Sequence, residues 1–377
     1  MFLHVLASDS YNKFFWQIRE LCEEALPGCH CYVQWAKKSI KNDGNTDYPV
    51  ISKPEQFQYL LRSRNDWEGI IFSPFNQVLM KEVSDSIPIC CVSWGKWAGI
   101  QSTLLARRYY PVTKKIVKKL SFHEYIRNTE LYRMYIKYYK FPFVFRRLFV
   151  KLSVLAGTFS EEFDFLKENK ILQPGCAFMP CFVGCQDPGD FVPGTGKDIF
   201  VGHYAGPSDN HLDIFERLRH FDLSGRKIIV PLSYPSYNIK YRRFIINKGY
   251  EIFGEHFCPL LDFLQRSDYI SLLDGCSVMI QGRFDNSALG NISLALHHGK
   301  KVYLPRNSFL YNALKSRKIN VLSIEDDLCG SDSDPVDPFT YEESLACSES
   351  YYAFRNREKA IRNMKELFSL LRSVSVR

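Results

Sequence analysis

The chain has 377 residues, of which 46% are hydrophobic, and its 49 Lys and Arg against 41 Asp and Glu give a net charge of +8. This composition excludes an intrinsically disordered chain, because 29 Phe and 22 Tyr supply ample apolar surface for a core. Twelve cysteines are too dilute for a small disulfide-rich protein, and the length predicts two domains.

The N-terminus and the hydropathy pattern indicate where the chain resides. Its first apolar run has no basic residue before it and stops at Asp9, so we expect no signal peptide. The longest candidate span, 141–159, is interrupted by Arg146, Arg147 and Lys151, which predicts that the chain does not cross a bilayer. We therefore expect a cytoplasmic location with reduced thiols.

The first half alternates between strand and helix patterns. Strands are predicted at 3–7, 31–34, 69–72, 87–93 and 151–156, and helices at 12–25 and from 160 onward. Asp9 follows the first strand almost directly, at a position where a carboxylate can act as a general base. An aspartate that caps the following helix explains the same pattern equally well.

Most of the positive charge lies in one segment. Residues 107–151 hold 13 Lys and Arg and only two acids, interleaved with 12 Tyr and Phe. This pattern suits an anionic membrane surface, where rings lie at the interface and each cation contributes about 1 kcal/mol. A solvated helix with an aromatic core face and a single-stranded nucleic-acid site are the alternatives, of which we discount nucleic acid. The expected membrane-binding residues are Lys114, Lys115, Lys118, Lys119, Arg146 and Arg147.

A linker rich in Pro and Gly, 186–197, separates this half from a regular alternation of strands and helices. The predicted strands are 199–202, 227–231, 250–253, 278–281, 302–304 and 320–323, and the predicted helices are 210–221, 237–248, 259–274, 286–298 and 308–317. Such alternation predicts a parallel doubly wound sheet. Because the first half resembles a looser version, we expect an α/β protein with the GT-B layout, in which two Rossmann-like domains face a cleft.

The expected domains follow from this division. We expect residues 1–188 to form an N-terminal Rossmann-like domain, which faces a membrane through the basic segment, and residues 197–345 to form a C-terminal Rossmann-like domain. Residues 346–377 carry a helix, predicted at 350–371, that packs back on the first domain.

Ligands of such sheets bind beyond the carboxyl ends of the strands, and three loops there combine small and polar residues. In the first loop, Ser208 or Asp209 can cap a helix whose free N–H groups favour a phosphate. Further donors in that loop are His203, Asn210 and His211. An ordinary capped turn without a ligand is the alternative.

The second loop contains Tyr234 and Tyr237, which either line a pocket for a base or sugar or pack in the core. In the third, Arg283 follows a strand directly and can bind a diphosphate with both arms of its guanidinium. Asn286 can cap the next helix, and Gly290 permits close approach of a ligand. A surface arginine before an ordinary helix is the alternative.

No metal site is predicted. Cys29-His30-Cys31 and the cysteines at 176, 181 and 185 lack the spacing of a structural zinc site. The Asp332-Ser-Asp334 sequence matches a metal-binding motif found in sugar transferases, but it lies in a polar loop far from any predicted strand end.

Several of these motifs occur together in one order. The residues concerned are Val201-Gly with Ser208-Asp-Asn-His211, Pro231-Leu-Ser-Tyr-Pro, Asp268-Tyr-Ile-Ser-Leu-Leu, Arg283 with Gly290, and Gly299-Lys-Lys-Val. This series resembles the bacterial TDP-N-acetylfucosamine:lipid II N-acetylfucosaminyltransferase family, glycosyltransferase family 56. His4-Val-Leu-Ala-Ser-Asp9, Phe72 to Asn76 and Trp94-Gly95 are also similar to the family. The resemblance covers most of the chain and is best from 198 to 325.

The resemblance implies an inverting GT-B enzyme that needs no metal or other cofactor. Its donor would be a TDP- or UDP-linked amino-deoxy sugar, bound by residues 197–345. Its acceptor, bound by residues 1–188, would be a polyprenyl-diphosphate-linked saccharide at the cytoplasmic face of the bacterial inner membrane. The reaction would be a step in the synthesis of a surface polysaccharide. In enterobacterial members of the family, that polysaccharide is enterobacterial common antigen.

The family's site residues carry over position by position. Ser208, Asn210 and His211 would lie at the diphosphate, with His203 nearby, and Tyr234 and Tyr237 would line the donor pocket. Arg283 would neutralise the leaving diphosphate, and Asn286, Gly290 and Asn291 would complete the phosphate site at a helix N-terminus. Asp9 would be the base.

Two other functions stay open at this point. One is a membrane-associated scaffold with a GT-B-like body, favoured by Trp94-Gly95-Lys96-Trp97, which lacks the acid that the family often has there. The other is a nucleotide-sugar epimerase, against which the basic aromatic segment argues.

Overall fold

The computed structural model describes residues 1–7, 12–36, 48–93, 109–126, 129–135, 149–185, 196–233, 239–328 and 335–375. Five of the predicted site residues lie outside these ranges: Asp9, Arg146, Arg147, Tyr234 and Tyr237.

The chain folds into two compact units. The first comprises Met1–Trp97, Lys137–Asp187 and Arg355–Arg377, and the second comprises Ala98–Ile136 and Pro188–Phe354. Residues 98–136 therefore belong to the second unit, whereas the predicted boundary placed them in the first domain. The reason is apolar packing, because Tyr110, Ile116 and Leu120 lie against the core of the second unit.

The first unit contains a seven-stranded parallel sheet in the order β3-β2-β1-β4-β5-β6-β7. Its strands are β1 Phe2–Ala7, β2 His30–Trp35, β3 Val50–Ile51, β4 Gly69–Ser73, β5 Ile89–Val92, β6 Leu152–Gly157 and β7 Ala177–Pro180. Its helices are α1 Asn12–Ala25, α2 Pro54–Arg62, α3 Gln77–Met80, α7 Ser160–Glu168 and α14 Arg357–Ser375. Every residue of β4 and β5 is buried, as expected for a parallel sheet covered on both faces.

Helix α14 completes the core of the first unit from the far end of the chain. The ring of Phe368 lies 4.8 Å from the rings of both Phe2 and His30. Leu371 is fully buried against Gly69, where a Cβ atom would lie only 3.3 Å from the leucine Cδ1.

The second unit contains a six-stranded parallel sheet in the order β10-β9-β8-β11-β12-β13. Its strands are β8 Asp198–Val201, β9 Ile228–Pro231, β10 Phe257–Leu260, β11 Cys276–Ile280, β12 Lys301–Leu304 and β13 Leu322–Ser323. Its helices are α4 Pro111–Leu120, α5 Phe122–Ile126, α6 Glu130–Tyr135, α8 His211–Leu218, α9 Ile239–Phe253, α10 Arg266–Asp274, α11 Leu289–His297, α12 Phe309–Ser316 and α13 Tyr341–Phe354. The predicted α/β class with parallel sheets is confirmed.

Two predicted elements are wrong. Residues 250–253 end α9 instead of forming a strand, and the strand of the sheet is β10, Phe257–Leu260. A four-residue apolar run fits a buried strand and the end of a helix equally well, so its pattern does not decide between them. Helix α10 accordingly begins at Arg266 rather than at 259.

The predicted helix 350–371 is two helices, α13 and α14, separated at Arg355 and Asn356. Arg355 is buried and donates a hydrogen bond to the carbonyl of Val183. This contact joins residues 172 positions apart, so the local sequence does not reveal the break.

Candidate active site

The candidate site lies at the carboxyl ends of β8 and β11 in the second unit. Two loops meet there, 202–210 after β8 and 281–288 after β11. The Gly202 N–H donates to the Ile280 carbonyl at 2.9 Å, and the Asn210 amide donates to the Gly282 carbonyl at 2.7 Å. Parallel α/β sheets bind their ligands at this edge.

The Asp209 side chain holds the first loop together by accepting hydrogen bonds from its backbone. Its side chain is fully buried, and Oδ2 accepts the backbone N–H groups of His203 and Tyr204 at 2.7 and 3.1 Å. Burial alone would raise the pKa of Asp209, but the nearby His203 and Arg283 lower it by a larger amount. The net shift of the pKa is downward, so the carboxylate stays ionised.

Neither Asp209 nor Ser208 caps the next helix, which corrects our prediction. The helix α8 begins after Asn210, whose backbone is left-handed with φ 53°, and no side chain caps it. The three residues before Asn210 form a short 3₁₀ turn, Pro207–Asp209, and the Asp209 carboxylate accepts hydrogen bonds from the loop instead of from the helix.

Gly202 permits this arrangement. Its φ is +74°, and a Cβ atom there would lie 2.8 Å from both Asp209 Oδ2 and His211 Nε2. Only glycine combines that backbone conformation with such a close approach of two buried side chains.

Arg283, at the start of the second loop, joins the two loops. It binds Asp285 with two hydrogen bonds, at 2.8 Å from Nε and 2.5 Å from Nη2. Nη1 donates to Ser208 Oγ at 2.9 Å and lies 3.4 Å from Asp209 Oδ1, while the guanidinium covers the Tyr204 ring at 5.1 Å. These contacts occupy four of the five guanidinium N–H groups, and among the described residues the second N–H of Nη2 has no recorded hydrogen bond.

The charges of Arg283 and Asp285 stabilise each other. Burial opposes both charges, but the ion pair outweighs it, raising the pKa of Arg283 and lowering the pKa of Asp285 to about 2. The arginine therefore stays cationic in a nearly buried position, with 10% of its side chain exposed.

The three loop residues predicted at the diphosphate are buried and bonded within the protein. Ser208 Oγ lies 2.6 Å from the Tyr204 hydroxyl, in addition to its bond from Arg283. His211 Nδ1 is 3.4 Å from the Tyr241 hydroxyl, and burial lowers the pKa of His211 to about 4, so it is neutral at pH 7.

The helix α11 begins beside this cluster. Its N-cap is Ala288, with φ 63°, rather than Asn286 as we predicted. The turn is instead closed by Asp285 Oδ1, which accepts the Ser287 N–H at 3.0 Å. A Cβ atom at Gly290 would meet nothing within 4 Å, so the first turn is open. The unpaired N–H groups of a helix N-terminus favour an anion there.

Three buried polar atoms at these strand ends have no hydrogen-bond partner among the described residues: His211 Nε2, Gln281 Oε1 and Asn286 Oδ1. Buried polar groups in folded proteins nearly always have hydrogen-bond partners, so these atoms indicate a place where water or a ligand supplies the missing partner.

Two other predicted residues lie nearby. His203 is 20% exposed, and its Nδ1 lies 3.2 Å from Gln281 Nε2. Asn291 lies half-buried in the first turn of α11.

Sequence reasoning missed the parts played by Tyr204, Gln281 and Asp285. A signal existed for Gln281, since a polar residue that directly follows the apolar run 278–280 of a strand lies at the ligand edge of the sheet. The role of Asp285 depends on its position two residues after Arg283, which by itself is an ordinary turn pattern.

The four lysines predicted to bind a membrane lie on α4, and all four are exposed. The opposite face of this helix is buried through Thr113 and Val117. Large apolar side chains in the two helices that follow it are exposed as well, among them Phe122 at 65% and Leu131 at 81%.

The described helices include none that is long and apolar enough to cross a membrane. Across the described ranges, no three His, Cys, Asp or Glu side chains lie together as a metal site.

A family model described as 4-alpha-L-fucosyltransferase, glycosyl transferase group 56, matches residues 185–334, which include both loops. This part of the chain is similar to the group 56 glycosyltransferases. The resemblance predicted from the sequence and the predicted enzyme class are thereby confirmed. No curated protein matches the sequence of this glycosyltransferase.

Solved structures show the fold of the whole glycosyltransferase chain. Sucrose-phosphate synthase from Thermosynechococcus elongatus is 10% identical, with 99% of this chain and 100% of that chain covered and a TM-score of 0.63. A glycosyltransferase from Rickettsia africae ESF-5 is 11% identical, with 98% of each chain covered and a TM-score of 0.62. A UDP-forming alpha,alpha-trehalose-phosphate synthase from Burkholderia vietnamiensis is 10% identical, with coverage of 99% and 100% and a TM-score of 0.56. The GT-B fold is confirmed.

Proposed function

We propose that this glycosyltransferase moves an amino-deoxy sugar, similar to N-acetylfucosamine, from a TDP- or UDP-linked donor to a polyprenyl-diphosphate-linked saccharide. Transfer inverts the anomeric carbon, requires no metal ion and serves bacterial surface polysaccharide synthesis. The observation that carries the proposal is Arg283, a buried cation held by Asp285 and Ser208 beside the open N-terminus of α11.

In this proposal the donor diphosphate lies between Arg283 and the first turn of α11. The acceptor hydroxyl oxygen attacks the anomeric carbon, and the bond from that carbon to the diphosphate oxygen breaks. The electron pair passes to the diphosphate, where the guanidinium and the helix N–H groups stabilise the added charge. The hydroxyl proton passes to a base, for which Asp9 is the candidate.

The fixed geometry of Arg283 supports this role. Its position is set by Asp285, Ser208 and Asp209 before any ligand arrives, so little reorganisation is needed when charge develops. A preorganised cation supplies the electrostatic stabilisation that a divalent metal supplies in other sugar transferases.

The membrane part of the proposal rests on α4 and the helices that follow it. Four exposed lysines and the exposed Phe122 and Leu131 provide cations for anionic headgroups and apolar groups for the interface. The enzyme is therefore proposed to work as a peripheral protein on the cytoplasmic face of the inner membrane, where its lipid-linked acceptor resides.

Thermal unfolding with a panel of nucleoside diphosphates, with and without Mg²⁺, tests the proposal. A nucleotide at 100 times its Kd adds about 2.7 kcal/mol to the free energy of unfolding, which raises the Tm by a few degrees. We expect UDP or dTDP to give this shift without Mg²⁺, and nucleoside monophosphates serve as the control. A shift that requires Mg²⁺ would contradict metal-free transfer, and no shift with any diphosphate would contradict the donor site.

A further inference from the structure

Helix α4, which carries the four lysines, is attached directly to the loops of the candidate donor site. Asp213 in α8 accepts the N–H groups of Val112 and Thr113 at 2.9 and 2.8 Å, and so caps the N-terminus of α4 from 100 residues away in the chain. Asn210 Oδ1 accepts the N–H of Tyr110 at 2.9 Å. We call these contacts of Asn210 and Asp213 with residues 110–113 the Asn210–Asp213 clamp.

The same Asn210 side chain also forms hydrogen bonds with both loops of the candidate donor site. Its Nδ2 donates to the Gly282 carbonyl at 2.7 Å, next to Arg283, and lies 3.3 Å from the Ser208 carbonyl. One fully buried amide therefore joins the start of α4, the loop after β8 and the loop after β11.

Tyr110 adds two further contacts at the same place. Its ring centroid lies 5.1 Å from that of Phe284, which stands between Arg283 and Asp285, and its hydroxyl donates to Glu325 Oε1 at 2.6 Å. The Glu325 Oε2 in turn accepts the Arg306 N–H at 2.8 Å, at the carboxyl end of β12. The start of α4 thus contacts the segments that follow three strands of the sheet, β8, β11 and β13.

The rest of α4 is fixed as well. Thr113 and Val117 are buried with at most 1% exposure, and Ile116 and Leu120 pack against the core of the second unit. Contacts among the described residues therefore join the helix that carries the four lysines to the loops that carry Ser208 and Arg283.

We infer that the Asn210–Asp213 clamp couples binding of an anionic membrane by α4 to binding of the nucleoside diphosphate at the loops. Both ligands bind segments that the clamp joins, so ordering these segments for one ligand lowers the ordering cost for the other. Because coupling of binding free energies is reciprocal, vesicles raise nucleotide affinity and nucleotide raises vesicle affinity by the same factor. Asn210 and Asp213 act as positioning residues. This inference rests on the proposed function.

Calorimetric titration of UDP and dTDP, with and without vesicles of phosphatidylglycerol and phosphatidylcholine, tests the coupling on the full chain. The measured quantity is the ratio of the nucleotide Kd without vesicles to the Kd with vesicles. We expect a ratio of about 5 or more, the usual lower range for coupled sites. Vesicles of phosphatidylcholine alone should give a ratio near one, since they lack the negative charge.

Variants identify the route of the coupling. Lys114→Glu with Lys118→Glu should bring the ratio near one, whereas Lys81→Glu with Lys365→Glu, two exposed lysines outside the segment with the same change in charge, should keep the wild-type ratio. Asp213→Ala should also bring the ratio near one while the protein still sediments with anionic vesicles, because its lysines are intact. Asp213→Asn, which keeps one acceptor oxygen, should give an intermediate ratio.

The outcomes separate this inference from the proposed function. If UDP and dTDP bind but vesicles leave their Kd unchanged, the coupling is wrong and the donor site stands. An Asp213→Ala protein that keeps the wild-type ratio also overturns the clamp. If neither nucleotide binds under any condition, the proposed function fails and the coupling fails with it.

Discussion

Two aspartates and one arginine are buried together at the strand ends of the second unit. Asp209 is fully buried, and Arg283 and Asp285 are 10% and 12% exposed, so each charge depends on the others for its solvation. A buried charge left without its partner costs far more than the pair contributes, which makes these residues a structural unit as well as a proposed chemical one.

Arg283→Ala should abolish sugar transfer and lower the free energy of unfolding by about 3–5 kcal/mol, because Asp209 and Asp285 lose their cation. Arg283→Lys keeps the charge but not the two-armed geometry, so it should retain more stability than activity. Urea unfolding and a transfer assay measure the two effects. Arg306→Ala, which breaks an exposed ion pair with Asp326, is the control with a change below about 1 kcal/mol. Wild-type transfer by Arg283→Ala would disprove the role.

Gly202→Ala tests the packing of the first loop, with Gly225→Ala as its control. Both glycines have a left-handed φ, +74° and +70°, so both substitutions carry a backbone cost of about 1–2 kcal/mol. At Gly225 a Cβ atom meets nothing within 4 Å, whereas at Gly202 it meets Asp209 and His211 at 2.8 Å. Gly202→Ala should therefore cost a further amount of about 1–3 kcal/mol in urea unfolding. Equal losses would show that the loop relaxes around the methyl group.

His211 should make the second unit sensitive to acid. Burial lowers the pKa of His211 to about 4 in the folded state, below its ordinary 6.5, so the unfolded chain binds the proton first as the pH falls. Its contribution to stability is complete above pH 6.5 and is lost toward pH 4, up to about 3 kcal/mol. In chemical unfolding from pH 7 to 4, His211→Gln should lose less stability than the wild type. Parallel curves for the two proteins would contradict a buried neutral histidine.

At the scale of elements, α14 supplies part of the core of the first unit, although it is the last helix in the described chain. Its buried side chains are Ala360, Met364, Leu367, Phe368 and Leu371. Most stability of a surface helix comes from such packing of its apolar face rather than from its own propensity.

Leu371→Ala should destabilise the first unit by about 2–5 kcal/mol, because the side chain is fully buried against Gly69 and its removal leaves a cavity. Val374→Ala, one turn later in the same helix and 37% exposed, should change the free energy of unfolding by no more than about 0.5 kcal/mol. Urea unfolding of the two variants gives the comparison. Similar values would mean that α14 does not pack as described.

Elements with a strong local signal were predictable. β8 and β11 end in the apolar runs 199–201 and 278–280, which stop at Gly202 and at Gln281-Gly282, and both strands were placed within two residues of their observed bounds. The strand β3 has two residues, too short for any pattern, and β7 contains Met179 and Pro180 without alternation. The break at Arg355 depends on a tertiary hydrogen bond, which no local window contains.

At the scale of the whole molecule, α4 with its four lysines and the candidate site were found separately in the sequence but belong to one unit. The sequence indicated both loops, since small and polar residues after a strand are a local pattern. It did not indicate that Asn210 bonds the start of α4, because that contact joins positions 100 residues apart. Nor did it indicate that Asp209 accepts hydrogen bonds from the backbone of its own loop, because an aspartate just before a helix has the sequence pattern of an N-cap residue.

The division of the chain also sets the order in which its parts can fold during synthesis. The second unit is complete once Phe354 has left the ribosome, whereas the first unit still lacks Arg355–Arg377. Until then Phe2, Gly69 and the strands around them have no α14 to cover them. The N-terminal unit therefore finishes folding after the unit that follows it, which reverses the usual order of domain folding on the ribosome. A nascent chain that stops before residue 355 exposes this apolar face, which makes it a substrate for chaperones and proteases.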